Sequence, residues 1–104
     1  MDVARLFGIQ KELDDKITQK HNLYGIRLLP QKILALQVEL GELANETRCF
    51  KFWSIKPASS KDVILEEYVD ALHFVLSIGL ETGFRDQVRL DMAGHASELG
   101  LTEA

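Results

Sequence analysis

The chain has 104 residues, 46 % of them hydrophobic, which is enough for one small domain but not for a second core. Its formal net charge is −4 and its isoelectric point is about 5.3, which argues against nucleic-acid polymers as partners because such faces are basic. The single cysteine, Cys49, excludes an intramolecular disulfide and a cysteine-rich zinc site. The first segment is charged from Asp2 onward and no apolar run could span a bilayer, so we expect a cytoplasmic protein.

Helical periodicity between breaker residues predicts an all-α chain. Four helices are predicted. The first covers residues 2–20, and the second covers about 31–50 with Pro30 suited to its first turn. The third runs from an N-cap at Ser59 or Ser60 to about Glu81, and the fourth covers about 85–99. Pro57 prevents the second helix from continuing, and Gly83 can adopt the left-handed conformation that ends the third. No strand-like alternation is visible. The expected fold is a single domain over 1–104, an antiparallel bundle of about four helices completed by dimerisation.

Two pairs of carboxylates are the most informative feature: Glu39 with Glu42, and Glu67 with Asp70. The i, i+3 spacing places both members of a pair on one helix face. On a helical wheel the first pair lies opposite the solvent-facing arc, and the second lies on a helix that is apolar almost all round. Like charges in apolar surroundings require a compensating cation, and oxygen-only ligands suit Mg²⁺ or Mn²⁺. These four acids are therefore predicted metal ligands.

Each of these features also has a simpler interpretation. A single Glu-x-x-Glu pair usually lies on a solvated helix face, and a histidine such as His73 on an apolar face is more often structural than a ligand. Glu46 and Glu66 fit a supporting role around the metal and plain surface charge equally well. Zinc is disfavoured because it prefers histidine and cysteine ligands. A di-iron site is disfavoured because it usually needs two Glu-x-x-His motifs, and the chain has only Asp70-x-x-His73.

The longer strings around these acids resemble one family. Residues 36–54 read LQVELGELANETRCFKFWS, and residues 64–74 read ILEEYVDALHF. Together they resemble the all-α nucleoside triphosphate pyrophosphohydrolases of the MazG type, and within them the dimeric dUTPase branch. The resemblance covers roughly residues 6–81.

The resemblance implies an enzyme that hydrolyses dUTP to dUMP and pyrophosphate with Mg²⁺ as cofactor. It implies metal binding by Glu39, Glu42, Glu67 and Asp70, and deoxyuridine binding by Gln10, Asp14, Trp53 and His73. Gln10 resembles the glutamine with which the family reads uracil. Glu42 is the expected catalytic residue, since a carboxylate beside the metals could orient or deprotonate the attacking water. Because so small a helical unit rarely encloses a nucleotide alone, we expect a homodimer.

Two other functions stay open on the sequence. A house-cleaning pyrophosphohydrolase for another deoxynucleotide such as dCTP would keep the acids and change the base-reading positions Gln10, Asp14 and Trp53. A non-catalytic helical interaction module would keep the bundle, and Trp53 and Phe52 would then simply cover its end. Such a module does not need acids in a core, where an unpaired ionised group costs several kcal/mol.

Overall fold

The computed structural model describes residues 2–87. It contains three long helices, α1 (Val3–His21), α2 (Leu29–Thr47) and α3 (Lys61–Glu81), followed by a helical turn over 84–87. No strand occurs within the described residues, so the prediction of an all-α helical bundle is confirmed. The predicted fourth helix over 85–99 lies mostly outside the described residues.

Local capping chemistry explains most of the helix ends. The carboxylate of Asp2 accepts a hydrogen bond of 3.0 Å from the backbone N–H of Arg5, which begins α1. The hydroxyl of Ser60 accepts one from the N–H of Val63 at 3.4 Å, so Ser60 is the N-cap of α3. Gly83 has a left-handed φ of 79° just beyond α3, as its position predicts.

Helix α2 begins two residues before and ends three residues before the predicted bounds of about 31–50, and Pro30 lies in its first turn as predicted. The helix starts at Leu29, because Pro30 occupies its first turn, where a missing N–H costs nothing. It ends at Thr47, because Arg48 adopts a left-handed φ of 58° that is incompatible with a continued helix. The positions of proline and glycine alone do not predict that α2 ends at Thr47.

Helix α3 lies between the other two helices and packs against both. Helices α2 and α3 are antiparallel. Lys32 near the start of α2 forms an ion pair of 2.7 Å with Glu81 at the end of α3. At the other end of the pair, Glu46 accepts a hydrogen bond from Ser59, just before α3. Within the described residues α1 and α2 do not pack against each other, so the central helix positions both partners.

Helix α1 approaches α3 closely at Gly79. Phe7 of α1 is 5 % exposed, and a Cβ atom added to Gly79 would lie 2.9 Å from Cε1 of its ring. Such a contact is shorter than ordinary packing distances, so a glycine at this position allows the two helices to approach.

We expect Gly79→Ala to lower the free energy of unfolding by about 1 kcal/mol, because overpacking costs about 1–3 kcal/mol and exceeds the gain of about 1 kcal/mol in helix propensity. Gly8→Ala on α1 is the matched control, since a Cβ there meets nothing within 4 Å and should stabilise the protein. Chemical denaturation measures both. Equal stabilisation by the two changes would show that the ring of Phe7 moves aside at no cost.

Several apolar side chains on the outer faces of the described bundle are exposed to solvent. Helix α2 has no fully buried residue, and Leu34 and Val38 are 61 % and 51 % exposed. Leu65 and Val75 on α3 are also exposed. This follows from the packing, because α2 contacts a single helix in this part of the chain.

The described helices include none that combines the length and the apolar character needed to cross a membrane.

Candidate functional site

Three of the four predicted acidic residues meet where α2 packs against α3. One carboxylate oxygen each from Glu39, Glu67 and Asp70 lies within 4.8 Å of the other two. All three residues are half-buried. The i, i+3 spacing on α3 places Glu67 and Asp70 on one face, and the antiparallel packing of α2 brings Glu39 opposite them. We call these three residues the acidic cluster.

The acidic cluster carries uncompensated negative charge. Burial raises the pKa of Glu39, and the charges of Glu42 and Asp70 raise it further. Burial also raises the pKa of Glu67, followed by the charge of Glu42 and a hydrogen bond with it. Among the described residues, Oε2 of Glu39 and Oε2 of Glu67 are shielded from solvent and accept no hydrogen bond. Buried oxygens are normally satisfied, so these two point to a missing positive partner.

Glu42 lies beside the acidic cluster. Its charge raises the pKa of both Glu39 and Glu67, which places it within reach of the same centre. Unlike the three clustered acids, Glu42 is exposed to solvent. The structure therefore gives the four acids two different environments: three half-buried ligand candidates and one exposed neighbour.

The donor set fits a hard divalent cation. It offers carboxylate oxygens only, and the two unpaired buried oxygens supply electron pairs that a metal ion would accept. Glu39, Glu67 and Asp70, with Glu42 at the edge, are the residues that could hold Mg²⁺ or Mn²⁺.

A second group of polar side chains joins α1 to α3. Ser77 donates a hydrogen bond of 2.8 Å to Oδ2 of Asp14, and Nε2 of Gln10 donates one of 2.9 Å to Oδ1 of the same carboxylate. Oε1 of Gln10 lies 2.7 Å from Nδ1 of His73. Gln10 and Ser77 are buried, whereas Asp14 and His73 are half-buried. We call these four residues the polar network.

The polar network and the acidic cluster are neighbours along α3. His73 follows Asp70 by one turn, a rise of about 4.5 Å along a helix axis. The polar side chains of α3 therefore have partners on two helices: α2 faces Glu67 and Asp70, and α1 faces His73 and Ser77. Beside the network, Asp14 and Ser77 line a cavity of about 280 Å³ to which all three helices contribute. A ligand bound to the acids would lie next to this network.

Trp53 lies in the loop between α2 and α3 and is 65 % exposed. Its ring packs edge-to-face against Phe52, with centroids 5.1 Å apart, and Phe50 lies at 6.0 Å. In the described part of the chain, no hydrogen bond or ring contact joins Trp53 to Gln10 or His73. The structure thus brings three of the four predicted nucleoside-binding residues together and leaves Trp53 on a separate aromatic surface.

Sequence reasoning missed two residues that shape these sites. Ser77 was visible only as the next polar position after His73 on α3, and it proves to hold Asp14. Arg48 donates hydrogen bonds to the hydroxyl of Ser54 at 2.8 Å and to the carbonyl of Lys56 at 3.1 Å. These bonds fold the loop that carries Trp53. No periodic signal marks a residue of this kind.

The chain was compared with known protein families, curated proteins and solved structures. The family described as dUTPase matches residues 2–99, nearly the whole chain and both groups of polar residues. No curated protein matches the chain significantly, and no solved structure does.

Proposed function

Because the chain belongs to the dUTPase family, a family of nucleoside triphosphate pyrophosphohydrolases, we propose that it hydrolyses dUTP to dUMP and pyrophosphate and uses Mg²⁺ to do so. Family membership gives the general activity, whereas the preference for dUTP and the identity of the metal are our proposal. The observation that carries it is the acidic cluster, with two buried carboxylate oxygens that have no partner in the described residues.

The proposed ligands of Mg²⁺ are Glu39, Glu67 and Asp70, together with Glu42 at the edge of the cluster. Mg²⁺ bound there would supply the positive charge that holds a triphosphate beside carboxylates and activates water. The chain's own part is to present oxygens from two helices at one point. Because these carboxylates repel one another, the folded cluster favours the binding of a cation.

Glu42 is the proposed catalytic base. It is the exposed member of the four acids, so its carboxylate can meet both water and substrate. Its charge raises the pKa of both Glu39 and Glu67, so it lies beside the proposed metal site. In the proposed reaction, water attacks the α- or β-phosphorus of the triphosphate and Glu42 accepts a proton from that water. The bond that joins the α- and β-phosphoryl groups breaks, which gives dUMP and pyrophosphate.

The proposed nucleoside-binding residues are Gln10, Asp14, His73 and Trp53. The first three supply hydrogen-bonding groups one turn of α3 away from the acids. Trp53 offers an exposed ring on which a base could stack.

We also propose that residues 1–104 form one domain and that the protein acts as a homodimer. The single central helix α3, against which α1 and α2 both pack, supports one domain. The exposed apolar side chains on α2 and α3, Leu34 and Val38 among them, support burial against a second copy.

The first test is pyrophosphate release from dUTP, dCTP, dTTP, dATP, dGTP and UTP, with Mg²⁺ and with EDTA. We expect turnover of dUTP that is lost in EDTA and little turnover of the others. Preferential turnover of dCTP would replace dUTP as the substrate while keeping the metal-dependent chemistry. No turnover of any nucleotide would contradict the proposal and favour an interaction module that keeps the family fold.

A further inference from the structure

Two sets of polar contacts tie α2 to α3, one at each end of the helix pair. At the start of α2, Nζ of Lys32 lies 2.7 Å from one carboxylate oxygen of Glu81. The other oxygen of this carboxylate accepts a hydrogen bond of 3.2 Å from the backbone N–H of Leu28. At the end of α2, the hydroxyl of Ser59 donates to the carboxylate of Glu46, and its backbone N–H donates to the carbonyl of Glu46 at 2.9 Å. We call these two sets of contacts the helix tethers.

The acidic cluster lies between the helix tethers. On α2, Glu39 follows Lys32 by seven residues and precedes Glu46 by seven. Seven residues make almost two full turns, so these three side chains share one face of α2 at intervals of about 10 Å. The repulsion within the acidic cluster therefore acts on a stretch of α2 that is held at both ends.

The tether at Glu81 combines an ion pair with a helix cap. The side chains of Lys32 and Glu81 are only 20 % and 23 % exposed, and salt screens a partly buried pair less than one on the surface. Burial would raise the pKa of Glu81, but the hydrogen bond and the charge of Lys32 lower it overall, so the carboxylate is ionised at neutral pH. The same carboxylate satisfies an N–H at the start of α2, where Leu28 provides no side-chain cap.

Helix α2 depends on α3 for its position in the described part of the chain. It has no fully buried residue, and within residues 2–87 it packs against α3 alone. Across this same interface Glu39 faces Glu67 and Asp70, and like charges so placed favour separation of the two helices. The helix tethers oppose both a separation and a sliding of α2 along α3.

We infer that the helix tethers position the metal ligands, because they hold α2 against α3 in the metal-free protein and keep the acidic cluster assembled for Mg²⁺. The inference rests on the proposed function, through its metal. Lys32, Glu81 and Ser59 are positioning residues in this account, since none of them belongs to the cluster. When a site is assembled in only a fraction of the molecules, its apparent affinity falls by that fraction. Loss of a tether should therefore weaken the binding of Mg²⁺ although every ligand is retained.

Lys32→Met is the most informative variant, because charge and position predict opposite results. Methionine keeps an apolar stem like that of lysine and removes the ammonium group. By charge alone, the loss of a cation from the protein should tighten the binding of Mg²⁺. By loss of the tether, we expect the Kd for Mg²⁺ to rise about tenfold, as it does when residues that orient metal ligands are replaced.

Three further variants complete the test. Lys11→Met is the matched control, since Lys11 pairs with Asp15 at 2.8 Å on α1 and its loss removes the same charge without changing a tether. Its Kd should not rise. Ser59→Ala changes no charge and removes the hydroxyl that bonds Glu46, so it should raise the Kd, but by less than Lys32→Met because the backbone hydrogen bond remains. Thr82→Val removes a hydroxyl that bonds only carbonyls of α3 and should leave the Kd unchanged.

Calorimetric titration with Mg²⁺ in the absence of nucleotide, repeated with Mn²⁺ followed by its EPR signal, gives each Kd. The temperature is one at which circular dichroism shows every variant to be folded. An unchanged or lower Kd in Lys32→Met would overturn the inference and leave the proposed function standing. An equal rise in Lys11→Met would also overturn it.

The inference and the proposed function fail in different ways. If the unsubstituted protein bound Mg²⁺ but hydrolysed no nucleotide, the proposed function would fail, and the titrations would still decide whether the helix tethers position the ligands. If the unsubstituted protein bound neither Mg²⁺ nor Mn²⁺, both the metal site and the inference would be overturned.

Discussion

Replacing Glu42 by glutamine should lower kcat for dUTP by about 10²–10⁴-fold, the usual contribution of a general base. Glutamine has nearly the same shape but cannot accept a proton from water at neutral pH. Because Glu42 is exposed and interacts only at the edge of the acidic cluster, the substitution should leave helix content unchanged. Initial rates over a range of dUTP and Mg²⁺ concentrations, with circular dichroism of both proteins, measure the two effects.

The magnesium dependence separates a base from a simple ligand. If Glu42 mainly binds the metal, higher Mg²⁺ should restore the rate of Glu42→Gln; a lost base is not restored. Glu66→Gln is the matched control, since it removes the same charge from an exposed residue next to Glu67. It should retain nearly full activity. Retained turnover in Glu42→Gln at ordinary Mg²⁺ would contradict its proposed role.

The helices could be predicted because their signals are local. Asp2, Ser60 and Gly83 act on backbone groups within a turn of themselves, so their types and positions suffice. The end of α2 could not be found this way. The left-handed conformation of Arg48 accompanies hydrogen bonds to Ser54 and Lys56, which depend on how the following loop folds. Such contacts have no period in the sequence.

The acids of the candidate site could be identified from the sequence, but how deeply each of them is buried could not. The spacing of Glu39 and Glu42 places both on one face of α2, yet only Glu39 enters the acidic cluster. A helical wheel gives direction around an axis and contains no information on how deeply a neighbouring helix covers each residue. The same limit applies to His73 and Ser77, whose partners on α1 depend on where that helix crosses α3.

The acidic cluster should also make metal-free protein less stable as pH rises. Because the pKa of Glu67 is raised in the folded state, first by burial and then by the charge of Glu42, folded protein holds protons that unfolded chain releases. The contribution of Glu67 to stability is therefore fully present below the ordinary glutamate pKa and is lost as pH rises through the raised value. In EDTA, the melting temperature should fall across this window. The fall should be smaller in Glu67→Gln, which has no carboxylate to ionise.

Mg²⁺ should reverse which of two proteins, the unsubstituted protein or Glu67→Gln, has the higher melting temperature. In EDTA at neutral pH, Glu67→Gln should melt above the unsubstituted protein, since one of the repelling charges is gone. With Mg²⁺ about a hundredfold above its Kd, binding should stabilise the unsubstituted protein by about 2.7 kcal/mol, because the ligand binds only the folded state. Glu67→Gln lacks one ligand of the cluster and should gain much less.

This reversal of melting temperatures is tested by thermal melts of the two proteins in EDTA and in Mg²⁺, between mildly acidic and neutral pH. Glu66→Gln, one residue away and exposed, should follow the unsubstituted protein in both buffers. A Glu67→Gln protein that melts lower in EDTA would mean that the carboxylate is compensated within the protein itself. Equal melting temperatures of the unsubstituted protein with and without Mg²⁺ would count against a metal site. This reversal distinguishes a metal ligand from a packing residue. Loss of a packing contact lowers stability in both buffers, whereas an unneutralised ligand lowers stability only when its metal is absent.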